Sequence, residues 1–426
     1  MERKPILGFL QMVLAVSAAA GILYGLKGTA MKPGPDLRWD SSQPRQNDGP
    51  NPTRFADSNS LFAFDLYAHY KDATGNLLFS PYSISSALTM TYEGARGQTA
   101  VEMKKVLHLP DREEDLRASF HLLDADLNGP GRDYKLITAN ALWAEKSFRF
   151  LADYLHLITE YYVGAAANLD FIGNPDASRQ TINRWVEDKT SGKIENLLSP
   201  GVINAATRLV LTNAIYFKGD WSNPYNAQDT RDEDFHLDSG STEKAKMMHQ
   251  TSHFNYGETG DFQVLEMPYR GGRLSMIVIL PKNLLAGISL DAAGWSRMRE
   301  TMEPRKVAVT FPKFRVEKKY MMAGDLAKMG MPSAFNPRAA DFSGMDGRRD
   351  LMISAVVHQT FVDVTEAGTE AAAATAAVIG VKAVLSEPKE EIKEFKADHP
   401  FIFLIQERTS GAILFLGRMS DPGQLR

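Results

Sequence analysis

Glu366-Ala367-Gly368-Thr369-Glu370-Ala371-Ala372-Ala373-Ala374-Thr375 lies about fifty residues before the C-terminus of a 426-residue chain. Alanine is the best helix former, so propensity alone reads Glu370 to Ala377 as a helix. Strand alternation reads it differently: Thr369, Ala371, Ala373, Thr375, Ala377 and Ile379 make one face without charge, and Glu370 falls on the other. Ala371 to Ala377 is the one low-complexity stretch of the body, and no repeat of 20 to 50 residues occurs.

Outward from this segment, helical and extended patterns alternate. Ser58 to Tyr70 carries apolar residues at helical spacing. Ser80 reads as an N-cap, with Pro81 in the first turn and Ile84, Leu88 and Tyr92 continuing the stripe. Thr99 and Glu102 read as a capping box opening a further helix. Asp111 to Leu127, 151 to 163 and 176 to 190 are predicted helices, and Lys135 to Trp143 and Arg208 to Trp221 are predicted strands. The second half is predominantly strand: Phe262 to Met267, Leu274 to Leu280, Val307 to Phe311, Gln359 to Val364, Phe401 to Gln406 and Ile413 to Leu416. The fold class is α+β.

Composition narrows the function. The apolar fraction of 44% supports a large core, and the absence of cysteine removes disulfides and thiol chemistry. A net charge of −4 gives no reason to expect a nucleic-acid partner. No serine stands in a Gly-x-Ser-x-Gly elbow, and the zinc-protease helix motif, the phosphate-binding lysine loop and the dinucleotide glycine pattern are missing. His249 and His253 are four apart, in surroundings that read as strand and turn, so no metal is expected there. Asp111 to Leu127 holds six acids against Arg112, Arg117 and His121, which argues for a solvated face and against a polyanion cofactor site.

At the N-terminus, Glu2-Arg3-Lys4 precedes an uncharged run of 21 residues, Ile6 to Leu26, that contains Ala18-Ala19-Ala20. At 1.5 Å per residue such a helix spans roughly 30 Å, so 1–30 reads as a cleaved signal peptide or as an uncleaved membrane anchor. Residues 31–54 read as a Pro- and Gly-rich linker, and 55–426 as the folded domain. Either N-terminal reading places the body outside the cytoplasm: extracellular, periplasmic or on the outer face of a membrane, as in a bacterial envelope or secreted protein.

The alanine-rich segment resembles the reactive-loop hinge of inhibitory serpins. Asn76-Leu77-Leu78-Phe79-Ser80-Pro81-Tyr82-Ser83 and Asn213-Ala214-Ile215-Tyr216-Phe217-Lys218-Gly219-Asp220-Trp221 resemble two further signatures of that family, in the family's order. Val309 to Phe314, Met329-Gly330-Met331, Asp341-Phe342-Ser343 and His399 to Phe403 extend the likeness across roughly residues 57 to 422. It implies a serpin fold of three β-sheets and about nine helices with an exposed reactive-centre loop. It also implies a monomeric suicide inhibitor of serine proteases that is not an enzyme and uses no cofactor. Protease attack on the loop would form an acyl-enzyme, and the freed arm would insert as a new strand. Thirteen residues, Thr369 to Val381, would carry the enzyme roughly 40 Å at 3.3 Å per residue. An inserting segment has to present small neutral groups to the core, because an unpaired buried charge is costly. The uncharged face meets that condition.

By the same resemblance, Glu366, Gly368, Thr369, Glu370, Ala371, Ala372, Ala373, Ala374 and Thr375 form the loop hinge. Ser80, Ser83, Asn213 and His358 form a polar cluster beneath the opening sheet, and Trp221 stands where insertion begins. Gly368 fits a turning point that needs backbone freedom, or an ordinary turn. Counting forward from Glu366 gives Lys382-Ala383 as the bait bond for a trypsin-like protease, whose specificity pocket holds a buried acid. Counting back from Pro400 gives Lys389, because this loop is longer than is usual. Lys382 is preferred, since Glu390 and Glu391 follow Lys389. The alternative function is a non-inhibitory serpin acting as a chaperone, carrier or binding module; bulky or charged residues in place of Ala371 to Ala374 would mark it.

Overall fold

The apolar spacing of the first predicted helix becomes a buried stripe. In the computed structural model, which describes residues 53–162, 164–283, 290–370 and 390–423, α1 (Thr53–Tyr70) buries Phe55, Phe62, Leu66 and Tyr67. Strand β1 (Leu77–Phe79) follows, and then α2 (Pro81–Tyr92), capped as expected. Ser80 is extended and its side chain accepts from the Ser83 N–H at 3.1 Å, while Pro81 occupies the first turn, where an N–H would have no helical partner.

Helix α3 (Gly97–Val106) departs from the expected capping box. It starts before Thr99, and its N-cap, Arg96, makes no side-chain capping bond. Thr99 accepts instead from the Asp341 N–H at 3.0 Å, and Glu102 accepts from the Ser333 N–H and hydroxyl, each at 2.8 Å. Long-range ties have claimed both side chains that a local cap would use. In α4 (Glu113–Asn128) Leu116, Phe120, Leu123 and Leu127 face inward and three acids sit in the first turn, where the helix dipole favours them.

The chain continues through β2 (Tyr134–Glu145), α5 (Ala152–Tyr161), β3 (Ala165–Leu169), α6 (Pro175–Lys189) and β4 (Leu209–Asp220). Next come β5 (Arg231–His236), β6 (Thr242–Glu258), β7 (Phe262–Pro268), β8 (Leu274–Pro281), α7 (Ala292–Glu300) and β9 (Glu303–Pro312). The last elements are β10 (Phe314–Met321), α8 (Ala323–Met329), α9 (Ser343–Asp346), β11 (Ile353–Val364), β12 (Gly368–Thr369), β13 (Lys393–Lys396), β14 (Phe401–Glu407) and β15 (Ile413–Met419). Nine α-helices therefore stand among the described residues, as expected.

The strands pair as two sheets. One has six strands in the order β10-β11-β12-β4-β2-β3, and the other has nine. The third expected sheet is not separate, because the 17-residue β6 pairs with β5 and β9 along most of its length and with β7 at its end. One long strand thus joins two groups of strands into a continuous ladder. Both faces of the six-stranded sheet are covered. On one side Leu211, Ile215 and Phe217 join the main core; on the other Val210, Ala214, Ala355 and Val357 pack with Ile182 and Val186 of α6. Strands β4 and β11 are consequently buried almost end to end, as parallel neighbours in a covered sheet must be.

Gly417 on β15 passes so close to β1 that an added Cβ would lie 2.8 Å from the Leu77 carbonyl oxygen and 2.4 Å from the Phe403 ring. Gly417→Ala is expected to destabilise the fold by about 1–3 kcal/mol through overpacking. Equilibrium denaturation checks this; an unchanged midpoint would show that the strands can separate at no cost.

Candidate functional site

Strands β4 and β11 run parallel and pair directly from Leu209 with Ile353 to Tyr216 with Phe361. Beyond that point they part, and β12 occupies the gap. Gly368 and Thr369 pair antiparallel with Asp220 and Gly219 of β4, and Thr369 also pairs with Val364 of β11. The chain reaches this position by reversing straight after β11: the Thr365 N–H and hydroxyl both donate to the Gly368 carbonyl, at 2.8 and 3.0 Å. Gly368 has φ +154, and a Cβ there would stand 2.1 Å from the Gly219 oxygen. Only glycine fits, for close backbone approach as much as for backbone freedom.

Trp221, Tyr269 and Thr369 close the mouth of the gap. The Trp221 N–H donates to the Ala367 carbonyl at 2.9 Å and its indole N–H to the Thr365 carbonyl at 3.1 Å. Its ring stacks on Tyr269 at 4.5 Å, and the Tyr269 hydroxyl meets the Thr369 hydroxyl at 2.7 Å. Glu366 is tied to Lys313 and to the Thr230 hydroxyl, each at 2.8 Å, and Tyr225 donates its N–H to the Glu366 carbonyl at 2.8 Å. Burial works against the Glu366 carboxylate, but its bonds to Lys313 and Thr230 outweigh it and hold the group below the usual range. Glu370 faces the opposite way from Thr369 and pairs with Lys193.

Beneath the directly paired part of the strands lies the polar cluster. Asn213 Nδ2 donates to the Ser83 carbonyl at 2.5 Å, the Ser83 hydroxyl at 2.6 Å and Asn140 Oδ1 at 2.5 Å. The Ser80 N–H donates to His358 Nε2 at 3.1 Å, and His358 Nδ1 bonds Asn213 Oδ1. Nε2 is thus the acceptor and Nδ1 carries the proton, which fixes a neutral imidazole. His358 is fully buried; burial lowers its pKa to about 3 against the opposing bond from Asn213. Facing pairs in a ladder share a face, so Asn213 and His358, direct partners across β4 and β11, both point toward α2.

The structure therefore brings Ser80, Ser83, Asn213 and His358 together and puts Trp221 at the mouth beside Glu366, Gly368, Thr369 and Glu370. Ala371, Ala372, Ala373, Ala374, Thr375, Lys382, Ala383 and Lys389 lie outside the described residues. Sequence reading missed Asn140, Tyr269, Lys313 and Lys193. Asn140 alone left a signal, a lone amide among the apolar neighbours of β2. His249 and His253 both lie on β6, where His249 pairs with Glu233 at 2.9 Å and His253 with Glu390 at 3.0 Å. Among the described residues no group of three or more His, Asp or Glu side chains is arranged to hold a metal.

The family model described as Serpin (serine protease inhibitor) matches residues 57–422, and this chain belongs to the serpin family. It is 42% identical to an uncharacterized serpin-like protein of Thermococcus kodakarensis, over 96% of this chain and 98% of that protein. It is 41% identical to leukocyte elastase inhibitor A of Rattus norvegicus, over 87% of this chain and all of the inhibitor. The crystal structure of a serpin described as highly specific, from the insect Tenebrio molitor, superposes with a TM-score of 0.77 at 32% identity, covering 89% of this chain and all of that one. The serpin fold is thereby established, and the named relatives support a protease-inhibitor function.

The expected location is corrected by the same relatives. Leukocyte elastase inhibitors are intracellular serpins without signal peptides, so the export inferred from Ile6 to Leu26 does not stand. An apolar run of that length is common to signals, anchors and other segments, and the run itself lies outside the described residues.

A neutral buried His358 makes the native state sensitive to acid. Its folded pKa lies below the unfolded value near 6.5, so its contribution is complete above that value and is lost as pH falls from about 6.5 toward 3, by at most about 1.4 kcal/mol per unit. Denaturation midpoints measured across this window are expected to fall with acid in the wild type and to fall less in His358→Gln. Equal slopes in the two proteins would contradict the assignment.

Proposed function

We propose that this serpin is a suicide inhibitor of a trypsin-like serine protease, which it traps as a covalent acyl complex by inserting its cleaved loop between β4 and β11. The observation that carries the reading is β12, a two-residue strand already seated between the two strands that must part and antiparallel to both.

The ladder defines what continued insertion would do. Thr369 pairs with Gly219, so each step forward in the loop is one step back along β4, and Ile379 meets Leu209 at the strand's end. On this register Thr375 comes to rest between Asn213 and His358, at the polar cluster. The odd-numbered residues from Thr369 to Ile379 turn to the face shared with Asn213 and carry no charge. Ala372, Ala374 and Ala376 turn to the face covered by α6, where only small side chains pass without disturbing close packing.

Lys382 follows three residues beyond that end, so the acyl-linked protease would be drawn along the whole strand. Lys389 suits the role poorly. Its neighbour Glu390 is tied to His253 at 3.0 Å and to Lys306 at 3.8 Å, and Glu391 to Lys393 at 2.8 Å. A bait bond has to be presented free of the body, and these acids oppose a pocket built around a buried carboxylate. A lysine at the bait also separates this chain from inhibitors of elastase, whose pocket is small.

Mixing the protein with trypsin is expected to give a denaturant-resistant complex and a released fragment beginning at Ala383. Lys382→Leu is expected to abolish trapping of trypsin and Lys389→Leu to preserve it. Clean cleavage with no complex would refute the inhibitory reading, and loss of trapping in Lys389→Leu would move the bait bond.

A further inference from the structure

Strand β12 ends at Thr369, and the next residue, Glu370, leaves extended geometry. Among the described residues Glu370 is one of four non-glycine residues with positive φ, at +51, a conformation disfavoured for any side chain with a Cβ. Its N–H still donates to the Asp363 carbonyl at 2.6 Å, so hydrogen bonding to β11 continues one residue past Thr369. The carboxylate is held there by Lys193, which follows the end of α6 and whose ammonium lies 5.8 Å from the Tyr216 ring centroid. Tyr216 on β4 sits against the same carboxylate, and its phenol is pushed up by burial first and by Glu370 next.

Continued insertion would have to undo this arrangement. Residue 370 would become extended and take the position between Lys218 of β4 and Asp363 of β11, which brings two carboxylates side by side. Asp363 is half-buried, and its carboxyl is raised by that burial, with Glu370 adding to the effect. The turn that carries Lys193 also ends the helix covering the face that Ala372 and Ala374 must enter.

We infer that Lys193, Tyr216 and Glu370 form a clasp that holds residue 370 out of the sheet and sets the rate of loop insertion. Lys193 and Tyr216 are positioning residues in this role; neither touches the protease. The inference rests on the insertion reading above.

The test follows insertion with and without protease. The intact protein is held at a temperature below its melting point, and loss of trypsin inhibition is timed together with gain of denaturant resistance. Lys193→Met and Glu370→Gln are each expected to speed this conversion about fivefold, the scale of a half-exposed ion pair. The double variant should be no faster than either single one, because both remove the same contact. Lys193→Arg should keep the wild-type rate. Unchanged or slower conversion in the single variants, or effects that multiply in the double, would overturn the clasp. The insertion reading is judged separately on wild-type protein: if cleavage at the bait brings no gain in denaturant resistance, insertion itself is wrong and the clasp falls with it.

Discussion

Everything distinctive about this molecule depends on one set of backbone hydrogen bonds, those between β4 and β11. The two strands are parallel neighbours at the centre of a covered sheet, yet they belong to segments more than 130 residues apart and are joined by no hairpin. A sheet whose central pair can part accepts a strand from within the same chain. The features around the pair all bear on whether it parts: a two-residue wedge at one end, a polar cluster beneath its middle, and a helix laid across its outer face. Burial of the cluster is tolerable because its groups satisfy one another. Ser80, Ser83, Asn140, Asn213 and His358 are joined by direct hydrogen bonds, so no donor among these contacts faces apolar surroundings unpaired.

Charge is distributed in keeping with this arrangement. At the mouth of the gap Glu366 is anchored by Lys313, and Glu370 by Lys193, so the hinge is held at both of its acids. Between these two acids, Ala367, Gly368 and Thr369 are held by Trp221, the Thr365 turn and Tyr269. At the other end of the loop, Glu390 and Glu391 are paired with His253 and Lys393. The stretch between the two anchored ends is the part offered to a protease in the proposed mechanism.

Much of the fold was legible in the sequence because its elements follow strong periodic signals. The Ser80 cap with Pro81, the stripe of α1 and the apolar runs of β4, β8 and β14 all read directly. The Thr99 capping box misled because its two side chains serve residues 333 and 341, a long-range contact that no local pattern reports. The merging of sheets through β6 was equally hidden, since strand pairing is a property of the folded ladder. The polar cluster was legible only through family resemblance; Asn140 escaped because nothing in its own neighbourhood distinguishes a networked amide from a tolerated one. Lys193 and Lys313 escaped for the opposite reason: surface lysines are common, and only the fold brings these two to the hinge acids. The N-terminal run shows the converse error, a strong local pattern that gave the wrong location.

The central claim is that the loop becomes the missing strand between β4 and β11, and a structure of the protein cleaved at its loop tests it most directly. The account requires β4 and β11 to be separated by a full strand, with Thr375 between Asn213 and His358 and Ile379 opposite Leu209. A cleaved protein in which Asn213 and His358 still pair directly, with the sheet unchanged, would contradict it.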